Sequence, residues 1–187
     1  IVLDDLDKEL ERRGHKFCRY ADDCNIYVAS CRSGERVMES IARFVEQRLK
    51  LRVNRGKSAV ARPWHRKFLG YSFSWHIKTR IRVAKQSIDR LRGNLKALFR
   101  KGRGRNMARF IQEDLNPLLR GWSNYFQLTE FLGFAEELDQ WVRRRLRCML
   151  WRQWKRPWKR FKMLRKQGLS EERAALSAFN QRGPWFN

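Results

Sequence analysis

Acidic residues are scarce in this sequence: 19 Asp and Glu stand against 43 Lys and Arg, a formal charge of +24 over 187 residues. A net charge of roughly 2–8 already keeps a small domain soluble. The excess calls for a polyanionic partner, nucleic acid first and an anionic membrane surface a distant second. Cysteine is sparse too. Cys18, Cys24, Cys31 and Cys148 match no zinc-ligand spacing. They read as reduced, partly buried thiols. Long apolar runs are missing: no stretch reaches the roughly 18 residues that a membrane span needs. No secretory signal pattern opens the chain, so a cytoplasmic protein is expected. At 42% hydrophobic residues, the chain carries enough apolar surface for a folded core rather than disorder, in one or two domains.

What is present changes character along the chain. Leu3, Leu6 and Leu10 share a helical face over residues 1–13, and Gly14 is a natural stop. Residues 17–29 switch to β-prone runs, Phe17 to Ala21 and Asn25 to Ala29, flanking Asp22-Asp23. Val37, Ile41, Val45 and Leu49 return to a helical stripe over 34–50. Leu51 to Arg62 is polar and irregular, and Lys67 to Ile77 reads as a second hairpin. Strand signals stop near residue 80. Ile88, Leu91, Leu95 and Leu98 form an amphipathic helix, followed by a basic glycine-rich linker, Lys101 to Arg105. One helix is expected over 106–115, another after Pro117, and a long one over 134–155 that Pro157 breaks or restarts. A last helix over 170–180 opens at Ser170 with Glu171 and Glu172 in its first turn. The domain boundary is expected at 80/81. Charge follows it: the net is +8 over 1–80 and +16 over 81–187.

Asp22-Asp23 is the most informative pair. Neighbouring aspartates on a hairpin tip repel each other and add nothing to a core. Two carboxylates on a rigid turn are what a hard divalent cation needs, and two-metal phosphoryl transfer uses such a site. The plainer reading is a solvated turn, since Asp is a common turn residue.

Arg19-Tyr20-Ala21-Asp22-Asp23-Cys24-Asn25-Ile26-Tyr27-Val28 resembles the active-site hairpin of reverse transcriptases encoded by group II introns. The resemblance continues in order. Leu51 to Ser58 resembles the family's next block, with Gly56 where an acidic residue is usual. Lys67 to Tyr71 resembles the primer grip, and Pro117 to Phe126 the core of the maturase-specific region. Retron and CRISPR-associated reverse transcriptases match less well around Trp122.

The resemblance implies an α+β chain: the C-terminal half of a polymerase palm over 1–80, made of β-hairpins with helices, then an all-α thumb/maturase domain over 81–187. It implies Mg²⁺ on Asp22 and Asp23, and Tyr20 and Ala21 beside the incoming nucleotide and primer end. It implies Lys57 near the triphosphate as a catalytic cation, where a solvated loop lysine is the other reading. Phe68, Leu69 and Gly70 would position the primer terminus. The family's third aspartate and its fingers match nothing here, and Asp4, Asp5 and Asp7 lie in the helix before the hairpin. The chain begins within a helical pattern and reads as part of something longer, inactive alone in DNA synthesis. The residues after Gly183 resemble an internal stretch near a terminus, with no nuclease cluster.

The basic half mixes aromatic and cationic residues. Trp151, Trp154, Trp158 and Phe161 keep helical spacing and read as a packed stripe rather than a base-stacking platform. Arg143, Arg144, Arg145, Arg147, Arg152, Lys155 and Arg156 are the candidate RNA contacts, with a second track of Arg82, Lys85, Arg92, Lys96, Arg100 and Lys101. Phosphate contact would relieve their mutual repulsion. The implied partners are group II intron RNA, an RNA template/DNA primer duplex and dNTPs. The competing reading is a non-catalytic RNA-binding maturase module with a scaffold palm. A basic structural protein with an accidental acidic turn accounts poorly for four ordered blocks.

Overall fold

The computed structural model describes residues 3–130 and 132–183. The expected features at Ile1 and over 184–187 lie outside them. The chain divides into two compact units, Ile1–Thr79 and Arg80–Asn187, and mixes helices with short antiparallel strands, mostly helical in the second unit.

In the first unit, helix α1 (Asp4–Arg12) precedes strands β1 (Lys16–Tyr20) and β2 (Asp23–Tyr27), then helix α2 (Cys31–Gln47). Three acidic residues open α1, where they favour the helix dipole. Gly14 follows with φ 72°, a conformation that suits glycine. Helix α2 starts three residues before its apolar stripe suggests. Ser30 and Ser33 form a reciprocal cap there, which satisfies two otherwise orphaned backbone donors. Leu6 and Leu10 of α1 pack with Ile41 and Val45 of α2, and Phe17, Cys24 and Ile26 of the hairpin close that core. Further on, a single 3₁₀ turn (Pro63–His65) precedes strand β3 (Tyr71–Phe73). The buried Ser72 hydroxyl reaches the carbonyls of Arg66 at 3.0 Å and Trp64 at 3.3 Å, fastening that turn to the strand.

The second unit opens with strand β4 (Ile81–Val83) and helix α3 (Lys85–Lys101). Two separate helices were expected around Pro117. Instead α4 (Met107–Arg109), a π-helical stretch (Phe110–Leu115) and α5 (Asn116–Tyr125) form one run. The Asn116 amide donates to the Ile111 carbonyl, five residues back. This wide turn sits just before Pro117, and a proline in the first turn of a helix loses no intrahelical bond. Helix α6 (Gly133–Gln153) ends before Pro157, which starts α7 (Pro157–Lys166), and α8 (Glu171–Phe179) follows. Leu91, Leu95 and Phe99 of α3 pack with Phe110, Leu115, Leu138, Val142 and Met149 in one core. The stripe expected to pack does so at Trp151 and Trp154, which are buried, whereas Trp158 is exposed and meets Phe179 edge-on at 5.2 Å.

Residues 102–105 are not a loose linker. A Cβ on Gly102 would stand 2.4 Å from the Phe110 ring. Gly104 has φ 81°. The Arg105 guanidinium pairs with Asp114 at 2.6 Å and Glu113 at 3.4 Å, and its carbonyl accepts from Gln153 Nε2 at 2.8 Å. Two glycine substitutions should thus act in opposite directions. Gly93→Ala, in open space on α3, should stabilise the protein by about 0.5–1 kcal/mol through a lower entropy loss. Gly102→Ala should destabilise it by about 1–3 kcal/mol through overpacking against Phe110. Denaturant unfolding measures both; equal signs would contradict the rigid turn.

Candidate functional site

Strands β1 and β2 pair antiparallel with Tyr20 opposite Asp23, Arg19 opposite Cys24 and Phe17 opposite Ile26. The loop between them is only Ala21 and Asp22, so Asp23 begins a strand and its backbone is held by the ladder. Directly opposed residues point to one face of a hairpin. Phe17, Arg19, Cys24 and Ile26 therefore share the inward face, and Tyr20 and Asp23 share the exposed one. Ala21 has φ 53°. Tight hairpin loops need a positive φ at their first position, a requirement glycine usually meets. An alanine there is strained. Asp22 and Asp23 are both exposed, and neither carboxylate forms a hydrogen bond or ion pair with the described residues.

Arg19 fixes the strained tip from below. Its Nε donates to Asp7 Oδ1 at 2.6 Å, a second nitrogen donates to Asp7 Oδ2, and Nη1 donates to the Ala21 carbonyl at 2.9 Å. One guanidinium thus joins α1, β1 and the acidic turn. Helix α1 is anchored in turn to α2, because Arg13 Nη1 reaches Ser40 Oγ at 2.8 Å. The Arg19 hydrogen bonds hold the Asp7 carboxyl below the usual carboxylate range. Arg12 and Arg13 hold that of Glu9 down to about 2. Arg19 and Asp7 were not among the expected site residues. The signal was there: alternation puts Arg19 on the face of Phe17, and a charge facing inward needs a partner.

The donors at the tip fit magnesium in kind, being hard carboxylate oxygens on a fixed turn. Among the described residues no group of three or more His, Cys, Asp or Glu side chains forms a metal site. Two carboxylates suffice for Mg²⁺ only where waters and substrate phosphates complete its shell.

Lys57 lies exposed in a turn whose backbone is set by Asn54. The Lys57 amide donates to the Asn54 carbonyl at 3.1 Å, and the Lys57 carbonyl accepts from Arg66 at 2.8 Å. No hydrogen bond or ion pair joins it to the two aspartates. Phe68 and Tyr71 exchange two backbone hydrogen bonds of 2.9 Å around Leu69 and Gly70. Leu69 has φ 52° and Gly70 φ 80°, the signature of a type I′ hairpin turn. Four non-glycine residues have positive φ among the described ones, and Ala21 and Leu69 are two of them. Strain of this kind gathers where geometry serves a site.

The expected cations do not form one surface. Successive helical residues turn about 100° apart, so Arg143, Arg144 and Arg145 fan around α6, and Arg147 returns to the face of Arg143. Arg143 pairs with Asp139 at 2.8 Å, and Arg145 stacks over Trp141 at 5.2 Å. Arg92 pairs with Glu137 at 3.2 Å. Lys85, Lys101 and Arg156 are exposed, and Arg82 is half-buried in β4. Lys96, Arg100, Arg145, Arg152 and Lys155 do converge, on one cavity, and Arg103 joins them there. Arg103 was not among the expected contacts, because Lys101 to Arg105 reads in sequence as a basic glycine-rich linker. Among the cysteines, Cys18 and Cys31 are exposed, against the expectation of partial burial. The described helices include none long and apolar enough to cross a membrane.

Comparison with protein families agrees with this layout. Residues 1–73 match the family described as reverse transcriptase (RNA-dependent DNA polymerase). Residues 88–168 match the group II intron, maturase-specific domain. No curated protein matches the chain.

Two predictions concern the tip. Ala21→Gly should raise stability by up to about 1 kcal/mol by removing the left-handed strain, and Ala21→Val should lower it by about 1 kcal/mol or more. Thermal melts of the two variants check the ordering. The second concerns pH. Depressed carboxyls stabilise the fold fully above their unfolded values of about 4. That contribution is lost as pH falls through their folded values, about 2 for Glu9. The first unit should therefore loosen across this window, and Asp7→Asn should both lower stability at neutral pH and flatten the acid limb. An unchanged acid limb in melts from pH 6 to pH 2 would remove Asp7 from the clamp.

Proposed function

Because the chain belongs to the group II intron reverse transcriptase/maturases, we propose that its first unit carries the catalytic carboxylates of RNA-directed DNA synthesis and its second unit binds the intron RNA. The observation that supports this best is the acidic tip itself. In a chain of +24, two neighbouring aspartates stay without a cationic partner on a turn that Arg19 and the ladder hold in place.

In this reading the 3′-hydroxyl of a DNA primer attacks the α-phosphorus of a dNTP, the new phosphodiester bond forms, and pyrophosphate leaves. Asp22 and Asp23 would hold Mg²⁺, which when bound draws charge from the attacking and leaving oxygens. Tyr20, on the same face as Asp23, and Ala21 would lie beside the nucleotide and primer end. Phe68, Leu69 and Gly70 would seat the primer terminus, where the bare backbone of Gly70 lets a nucleic-acid strand come close. Lys57 would offer positive charge or a proton to the departing pyrophosphate. The cations of the second unit would grip group II intron RNA during splicing and the template–primer duplex during copying, reading A-form helices through shape and phosphates.

A second reading follows from the metal-ligand count: with two carboxylates together among the described residues, the tip would be a scaffold and the chain an RNA-binding maturase module. The two readings separate by experiment. The chain, joined to the fingers and third aspartate of its family and given Mg²⁺, an RNA template, a DNA primer and dNTPs, should extend the primer. Asp22→Asn or Asp23→Asn should abolish extension and leave RNA binding near wild type. Extension that survives either change excludes the metal role. For the second unit, six to ten phosphate contacts would make affinity fall about 10³–10⁵-fold between 50 and 200 mM salt. A flat salt dependence in filter binding would exclude the electrostatic grip.

A further inference from the structure

Between α3, the turn after it and α6 lies a half-open cavity of about 640 Å³. Lys96 and Arg100 of α3, Arg103 of the turn, Arg145 and Arg152 of α6, and Lys155 just beyond it form its rim. Spacings of four along α3 and seven along α6 put each pair on one helical face. Among the described residues no acidic side chain lines this space. Its floor is different. Phe99, Cys148 and Met149 line it, and each is less than a tenth exposed.

Both parts are built to stay in place. Phe99 is packed by Phe110 at 5.5 Å and edge-on by Trp141 at 5.7 Å. The turn bearing Arg103 is held by the Arg105 ion pairs and by Gln153. Six like charges around one concavity focus a positive potential and select an anion. The apolar floor narrows the choice. A regular duplex presents phosphates to the rim, but its bases are stacked inside and do not reach the floor. Inorganic phosphate fills the rim and leaves the floor wet. A nucleotide whose base has left its stack satisfies both, and the volume lies in the range of roughly 300–1,000 Å³ typical of small-ligand sites.

We propose that this cavity captures an unpaired nucleotide of structured RNA, with its base against Phe99 and Met149 and its flanking phosphates on the cationic rim. The proposal rests on the RNA-binding reading of the second unit, and adds which RNA feature is recognised and where. Exposed bases are the usual means of specific RNA recognition by proteins. Here the recognising surface would be a pocket inside a helical unit, not a sheet.

The test uses the whole chain and two RNA hairpins that differ by one bulged nucleotide in the stem, with 4-thiouridine at the bulge. The bulged RNA should bind about tenfold more tightly, the lower range of base–aromatic stacking. Its photocrosslink should map to peptides containing Phe99 or Met149. Arg103→Glu, at an exposed position with little risk to the fold, should reduce the preference to less than about twofold, while the unbulged hairpin loses less affinity than the bulged one. Equal wild-type affinity for the two hairpins, or a crosslink elsewhere, overturns the proposal. Binding to neither hairpin overturns the RNA-binding reading itself, and this inference with it.

Discussion

Like-charge repulsion is the constraint under which the whole chain folds. Several of its acids are spent close to home: Asp4 on Lys8, Glu39 on Arg43 and Asp139 on Arg143, each pair one helical turn apart and exposed. Such pairs contribute little to stability. They trim the local field without cancelling the +24. The fold is held instead by two apolar clusters, one around Leu10 and Ile41 and one around Leu95 and Phe110, with the cations left on the outer helix faces. A partner that neutralises those faces and binds only the folded chain stabilises it by mass action. RNA bound as proposed would therefore also help keep the chain folded.

The acidic tip shows what must be rigid against that background. Two carboxylates among so many cations have an easy alternative, which is to collapse onto the nearest lysine or arginine. The described structure prevents it by geometry. A two-residue loop leaves Asp22 no slack, the ladder holds Asp23, and the Arg19 guanidinium beneath the turn is occupied by Asp7 and by the turn carbonyl. Arg19 thus acts on the aspartates by being unavailable to them. The strain at Ala21 and Leu69 fits the same logic, since both tips keep shapes that their own residues do not favour.

Much of this was legible in the sequence because hydrophobic period is a local signal. The switch from period two at Phe17 to Ile26 to a helical stripe at Val37, Ile41 and Val45 identified the elements of the first unit, and Leu91 and Leu95 did the same for α3. The acidic turn and the Phe68 to Tyr71 turn were legible for a related reason, since tight turns have short-range chemistry. What escaped depends on contacts distant in sequence. The π-helical stretch before Pro117 carries Phe110 and Leu115 into a core shared with helices far along the chain. Residues 102–105 look like a hinge until Phe110 is seen against Gly102 and Gln153 on the Arg105 carbonyl.

The arrangement of arginines on α6 separates two tasks that composition merges. Consecutive basic residues on a helix cannot share a face, so Arg143, Arg144 and Arg145 spread charge around the helix, which suits many weak, interchangeable phosphate contacts. Residues three, four and seven apart do share a face, and Arg145, Cys148, Met149 and Arg152 together make one wall of a cavity. Phosphate contacts position a nucleic acid without identifying it, whereas contact with bases identifies it. A uniformly basic helix would have supplied only the first. The apolar step at Cys148 and Met149, set within the basic run, gives the same helix a place where a base could be distinguished from its backbone, because that is the one surface there on which a phosphate gains nothing.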